Sequence, residues 1–211
     1  MEERIELEIA GYRFKDEALL ENALTHSSYL HEHVDEAARD FERLEFLGDA
    51  VVDLVVGEEL YRRFPDATEG ELTALRAALV SSAALAEVGR RLGLPERARL
   101  GRGEEDTGGR GRAGLAASLY ESVVGAIYLE SGLGEASALV DRTMGDAIAA
   151  TVAAPRKSPK TLLQEWAQGA HHPLPIYRTL DVSGPEHRRD FVVQVDQIGR
   201  ASCRERVYSG V

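Results

Sequence analysis

Residues 41–50 read FERLEFLGDA and place three acids within one apolar segment. Glu42, Glu45 and Asp49 are spaced three and four residues apart, so on a helix they lie along one face. Like charges at this distance repel each other, and the stripe costs free energy unless a positive charge lies beside it. The spacing alone leaves two interpretations open: a site for a divalent cation, or the solvated face of a helix.

The composition is typical of a soluble globular protein. The chain has 211 residues and a formal net charge of −11, which disfavours a nucleic-acid partner unless bound cations neutralise the acids. Its single cysteine, Cys203, fits a reducing cytoplasm. The N-terminus MEERIELEIA is acidic, and no apolar run approaches the length of a membrane helix. We therefore expect no secretory leader, no membrane association and a cytoplasmic location.

Hydrophobic periodicity predicts an almost entirely helical region over residues 1–152. Thr68 and Glu71 form a capping-box pattern that opens one of its helices. A glycine- and charge-rich loop lies at about 100–114, and no strand pattern or internal repeat is found. The predicted helices are, approximately, 16–30, 39–64, 69–93, 115–131 and 134–152.

The character of the sequence changes after this helical region. Residues 153–159 have the proline-rich, basic composition of a linker, and residues 160–197 predict one helix followed by two strands. The segment IGRASCRERV, beginning at Ile198, is similar to a translated sequencing adapter. We therefore interpret 198–211 as a non-native tail that supplies neither a third strand nor a closing helix, and 160–197 as a partial domain.

Two other kinds of site are weighed against the acid stripe. His26, His31 and His33 suggest a zinc hydrolase, but the chain has no HExxH motif and no second ligand cluster. We expect these histidines at the surface or at helix ends. The glycine-rich loop does not follow a predicted strand, so it lacks the context of a nucleotide-binding loop.

Several segments in the correct order resemble one known family. ERLEFLGDA is similar to the signature of the ribonuclease III family, the double-stranded-RNA endonucleases. ALTHSSY, TEGELTALRAALVS and LYESVVGAIYLE resemble other helices of its nuclease domain, and PKTLLQEWAQG with LPIYRTLDVSGPEH resembles the double-stranded-RNA-binding domain that follows it. The resemblance implies a mainly α fold: an all-helical nuclease domain and then a truncated α+β RNA-binding domain.

The resemblance also implies roles for individual residues. The positions that match the family's metal-binding acids are Glu45, Asp49 and Glu121. Asp49 and Glu121 are implied to be catalytic together with two acids that line the cleavage valley, Glu42 and Glu69. Ser118 departs from the pattern, because the family usually has a metal-binding acid at that position. Phe46 matches the aromatic that contacts the partner subunit of a homodimer.

The implied activity is Mg²⁺-dependent hydrolysis of double-stranded RNA, with Mn²⁺ as a substitute and no organic cofactor. Products would carry 5′-phosphate and 3′-hydroxyl ends, and the substrates would include rRNA and mRNA precursors. Gln164, Glu165 and His187 match RNA-binding positions, but the final helix of the binding domain is missing, so we expect a weakened or unfolded second domain. The alternative is a catalytically impaired, dimeric double-stranded-RNA-binding protein, favoured by Ser118.

Overall fold

The computed structural model describes residues 7–34, 39–153, 159–183, 190–196 and 202–208. The chain divides into two compact units, Met1–Pro155 and Arg156–Val211. The first unit is helical apart from one very short hairpin, and the second combines a helix with a sheet. The prediction of a mainly α protein followed by a small α+β region is confirmed.

The first unit contains a hairpin and eight α-helices among the described residues. Its two-residue strands are too short to produce an alternating pattern, and the expectation of no strand in this region is wrong at that point. The elements are β1 Glu8–Ile9, β2 Tyr12–Arg13, α1 Glu17–Leu24, α2 Ser27–Glu32, α3 Glu42–Arg63, α4 Glu69–Leu79, α5 Ser82–Arg91, α6 Leu94–Arg97, α7 Arg102–Asp106 and α8 Ala113–Ala153.

Helix ends follow local capping chemistry. The capping box is confirmed: Thr68 caps α4, and the side chain of Glu71 reaches back to the Thr68 backbone N–H. The predicted long third helix is instead two helices, because the Ser81 hydroxyl accepts a hydrogen bond from the Ala84 N–H and begins α5. The predicted break between the fourth and fifth helices is present within α8 at Gly132, whose φ of 80° belongs to the left-handed region that favours glycine.

Helix α8 supplies the centre of the hydrophobic core. Its residues Leu119, Val123, Val124 and Ile127 are completely buried. By length and composition alone, Ala113–Thr151 also meets the criterion for a membrane-crossing helix, as does the bent pair of α4 and α5. A core helix of a soluble protein has the same composition, and the packing of α8 against α3 and α5 is typical of such a helix.

The second unit consists of α9 Pro159–Gly169 and an antiparallel sheet with the order β3–β4–β5. Its strands are β3 Ile176–Ser183, β4 Asp190–Asp196 and β5 Ser202–Tyr208. The expectation that no strand follows Val195 is wrong, since β5 pairs with β4 along its whole length. Charged residues in 202–208 obscured this strand, but an edge strand tolerates charge, and its backbone hydrogen bonds do not depend on side chains. The non-native origin of 198–211 stays a prediction.

Candidate active site

The predicted acids lie on two helices that pack against each other. Glu42, Glu45 and Asp49 occupy the first two turns of α3, and Glu121 lies on α8. Glu45 and Glu121 are half-buried, whereas Glu42 and Asp49 are exposed. The α3–α8 pairing therefore brings Glu121 close to Glu45 and Asp49, which precede it by more than seventy residues in sequence, at the edge of the core.

Glu121 has the most perturbed acidity of this group. The pKa of its carboxyl is raised to about 7, first by burial and then by the negative charges of Asp49, Glu45 and Asp53, in that order. Within the described part of the chain, no lysine or arginine forms an ion pair with Glu121, Asp49 or Glu45. The site thus concentrates negative charge that no ion pair of the described residues offsets.

A hydrogen bond joins the two helices at this site. The Ser118 hydroxyl, three residues before Glu121 on α8, donates to Glu45 Oε1 at 2.7 Å. Both side chains are half-buried. A hydroxyl-to-carboxylate bond of this length has the geometry of a strong, charge-assisted hydrogen bond. Ser118 consequently contacts the acid cluster as a donor, although the resemblance places an acid at this position.

The donor set fits a hard divalent cation by its chemistry. Mg²⁺ and Mn²⁺ prefer carboxylate oxygens and retain several waters, so they need few protein ligands. Asp49 and Glu121 have carboxylates without a hydrogen-bond partner in the described residues, which leaves their oxygens available. The same residues include no preassembled group of three His, Cys, Asp or Glu side chains in metal-binding geometry. The fit therefore rests on donor chemistry and uncompensated charge.

Glu42 and Glu69 occupy different surroundings. Glu42 lines an open cavity of about 430 Å³. Its other lining residues are His26, Phe41, Glu45, Glu104, Arg112, Gly114, Leu115 and Ser118. Glu69 is exposed in the first turn of α4, where it accepts a hydrogen bond from the Thr73 hydroxyl at 2.9 Å. Glu42 thus borders the Glu45–Ser118 pair, whereas the described contacts of Glu69 are confined to its own helix.

The structure adds one acid that the sequence analysis missed. Asp53 raises the pKa of Glu121 through its charge and lies 3.8 Å from the guanidinium of Arg76. It continues the α3 stripe four residues after Asp49, so the spacing that selected Glu42, Glu45 and Asp49 also indicates Asp53.

The other predicted residues have these positions. Phe46 on α3 is 81% exposed, which is unusual for a phenylalanine on a core helix. Gln164 is half-buried on α9, which also includes Glu165, while the side chain of Glu165 and the whole of His187 lie outside the described residues. His26 and His33 cap the two ends of α2, as expected for helix-end histidines.

Comparisons with known proteins agree with this architecture. Residues 16–148 match the Ribonuclease-III-like family model, and residues 159–205 match the double-stranded RNA binding motif. Ribonuclease 3 of Symbiobacterium thermophilum is 46% identical over 194 residues, covering 92% of this chain and 81% of that protein. Ribonuclease 3 of Shewanella sediminis is 40% identical over 203 residues, covering 93% and 87% respectively.

A solved structure supports the same assignment for the first unit. The nuclease domain of ribonuclease III from Campylobacter jejuni is 39% identical, with a TM-score of 0.60 over 65% of this chain and 92% of that domain. That nuclease domain has a structurally flexible region involved in dimer formation. Fold, family models and identity over most of the length agree, and the chain belongs to the ribonuclease III family of double-stranded-RNA endonucleases.

Proposed function

We propose that the acids between α3 and α8 catalyse divalent-cation-dependent hydrolysis of phosphodiester bonds in double-stranded RNA. Mg²⁺ is the proposed physiological ion, and Mn²⁺ a substitute. Products carry 5′-phosphate and 3′-hydroxyl ends with short 3′ overhangs. The proposed substrates are rRNA and mRNA precursors in the cytoplasm, and no membrane or organic cofactor takes part.

The observation that carries this proposal is the charge of the acid cluster. Glu45, Asp49 and Glu121 form no ion pair with a lysine or arginine in the described residues, and the pKa of Glu121 is raised to about 7. A purely structural cluster would not retain uncompensated acids, because their repulsion destabilises the fold. A cation bound there would offset the repulsion and allow Glu121 to ionise at neutral pH.

Each acid has a proposed role. Glu45, Asp49 and Glu121 hold the cation, which when bound polarises the phosphodiester and makes water a stronger nucleophile. Glu42 faces the neighbouring cavity and Glu69 lies at the start of α4, where both would border the RNA and orient water. The rigid α3–α8 pair holds Glu45, Asp49 and Glu121 close together before substrate binds, which lowers the entropic cost of the reaction.

A homodimer is proposed for the active form. Phe46 is 81% exposed and Leu54, two turns further along α3, is 55% exposed. Exposed apolar side chains beside an active site are typical of an interface with another chain. The proposed partner is a second copy, so that each active site of the dimer cuts one RNA strand.

The second unit is proposed to bind the RNA duplex through its shape, with Gln164, Glu165 and His187 near the minor grooves. Each phosphate contact that this unit makes would add about 0.9 to the slope of log K against log salt, if the value for DNA duplexes applies.

A second candidate function is an impaired nuclease that binds duplex RNA as a dimer without cutting it. Ser118 favours this reading, because its hydroxyl bonds to Glu45 where the family has a metal-binding acid. The neutral side chain provides one anionic ligand fewer for the cation.

Incubation with end-labelled duplex RNA distinguishes the two functions. The purified chain is supplied with Mg²⁺, with Ca²⁺ or with EDTA, and products are resolved on a denaturing gel. If the chain is an endonuclease, short products appear with Mg²⁺ and not with Ca²⁺ or EDTA. Their new 5′ ends carry phosphate, so they can be relabelled only after treatment with a phosphatase. Retention of the duplex in a gel-shift assay without any products supports the impaired binder.

A further inference from the structure

The serine at the acid cluster interacts with one acid in particular. Ser118 Oγ donates to Glu45 Oε1 at 2.7 Å, across the packed helices α3 and α8. This is the only described side-chain hydrogen bond of Glu45, and Asp49 and Glu121 have none in the same part of the chain. Within the described contacts, Glu45 is the one of these three acids that a neighbouring side chain holds.

An acid at position 118 would act differently from serine. An ionised carboxylate only accepts hydrogen bonds, so it would face Glu45 Oε1 as a second acceptor and a second negative charge. Glu45, Asp49 and Glu121 already have no basic partner among the described residues. The hydroxyl provides a donor at this position without adding to the repulsion.

The orientation of a carboxylate ligand contributes to the affinity of a metal site. Partners that hydrogen-bond to ligands fix their orientation, and their removal typically weakens metal binding by about 10- to 100-fold. We infer that Ser118 is a positioning residue, which holds the Glu45 carboxylate at the cation site through its hydroxyl instead of contributing an anionic ligand. This inference rests on the proposed function, since it requires a divalent cation to bind at the acid cluster.

Mn²⁺ titration of the RNA-free chain by isothermal calorimetry tests this role without measuring cleavage. Ser118→Ala removes the donor, and we expect the Mn²⁺ dissociation constant to rise about tenfold. Ser118→Thr keeps a hydroxyl and should bind Mn²⁺ within about threefold of the parent. An unchanged affinity in Ser118→Ala overturns the inference, as does a loss in Ser118→Thr equal to that in Ser118→Ala.

Ser122→Ala is the matched control, because it deletes a serine hydroxyl from the same helix about one turn away. The Ser122 hydroxyl is buried and donates to the Ala23 carbonyl at 2.6 Å, and no described hydrogen bond joins it to the acids. We expect this variant to lose thermal stability and to keep the Mn²⁺ affinity of the parent. Equal losses of affinity in Ser122→Ala and Ser118→Ala would show a general packing effect and overturn the inference.

Ser118→Asp tests the charge part of the argument. The introduced aspartate would be a fourth acid beside Glu45, Asp49 and Glu121, and it should raise the affinity for Mn²⁺. In EDTA no bound cation offsets the added repulsion, so the melting temperature of this variant should be lower than that of the parent. A melting temperature in EDTA equal to that of the parent contradicts this account. A parent chain that binds no Mn²⁺ contradicts the proposed function as well, whereas a parent that binds Mn²⁺ with the same affinity as Ser118→Ala contradicts only the role of Ser118.

Discussion

Gly48 of α3 and Gly125 of α8 face each other at a close approach of the two helices. A Cβ atom added to Gly48 would lie 3.0 Å from the Gly125 nitrogen, and one added to Gly125 would lie 3.1 Å from the Gly48 nitrogen. The Cβ atom at Gly48 would also overlap the carbonyl oxygen of Glu121, and the Cβ atom at Gly125 would overlap that of Leu44. The absence of side chains at these positions therefore sets the distance between the helices that carry the acids.

This close approach predicts the effect of alanine at either glycine. Gly48→Ala and Gly125→Ala must push α3 and α8 apart, and overpacking of this kind costs about 1–3 kcal/mol or more of unfolding free energy. Urea unfolding measures the loss. Gly145→Ala on α8 is the control, since its added Cβ meets nothing within 4 Å. It should stabilise the helix by about 0.5–1 kcal/mol, and equal stability of all three variants would contradict the close packing.

The raised pKa of Glu121 predicts a pH dependence of stability. The pKa of its carboxyl is 4.5 for the ordinary group and about 7 in the folded, cation-free chain. The folded state therefore binds the proton more tightly, so the contribution to stability is complete below about pH 4.5 and disappears as the pH rises through 7. In EDTA, the unfolding free energy of the parent should fall between pH 5 and 8 by on the order of 1–3 kcal/mol more than that of Glu121→Gln. Parallel pH profiles would contradict a raised pKa.

The exposed phenylalanine predicts the effect of its removal on the oligomeric state. Phe46→Ala should shift the chain from dimer to monomer, because a buried aromatic anchor commonly provides 2 kcal/mol or more of binding free energy. Sedimentation velocity over a concentration series measures the shift. Tyr61→Ala is a control on the same helix at a position that is 73% exposed, and it should remain dimeric. Identical sedimentation of Phe46→Ala and the parent would exclude Phe46 from the interface.

The different positions of the acids predict unequal effects of their neutralisation. Glu69 forms its described hydrogen bond within α4, whereas Glu121 interacts with the charges of Asp49 and Glu45. We expect Glu69→Gln to lower the cleavage rate by less than about tenfold and Glu121→Gln to lower it by about 100-fold or more. Single-turnover rates on duplex RNA measure both, and an equal loss would place Glu69 among the cation ligands.

The helical pattern and the acid spacing could be predicted from the sequence because both are local. The α3 stripe of Glu42, Glu45 and Asp49 follows from helical periodicity, and the capping box at Thr68 follows from two residues three apart. The resemblance, and not the spacing, paired this stripe with Glu121. Nothing local to ASLYES indicates that Ser118 bonds to Glu45, because this contact depends on how α3 and α8 cross.

The errors have physical causes as well. Each strand of the hairpin at residues 8–13 has only two residues, too few to show an alternating pattern, and the centre of β5 is a run of three charged residues stabilised by backbone pairing with β4. The split between α4 and α5 depends on Ser81 accepting a backbone hydrogen bond, a role that serine fills only when the chain turns there. Asp53 fits the local spacing of the α3 stripe, but its effect on Glu121, a residue of another helix, depends on the packing of α3 against α8.

The central claim is that the acids between α3 and α8 cut duplex RNA, and one comparison tests it most directly. The parent, Glu121→Gln and Glu135→Gln are incubated with the same labelled duplex and Mg²⁺, since Glu135 is an exposed acid on the same helix. The account predicts short products from the parent and from Glu135→Gln, and an intact duplex with Glu121→Gln. Cleavage by Glu121→Gln at the rate of the parent would contradict it.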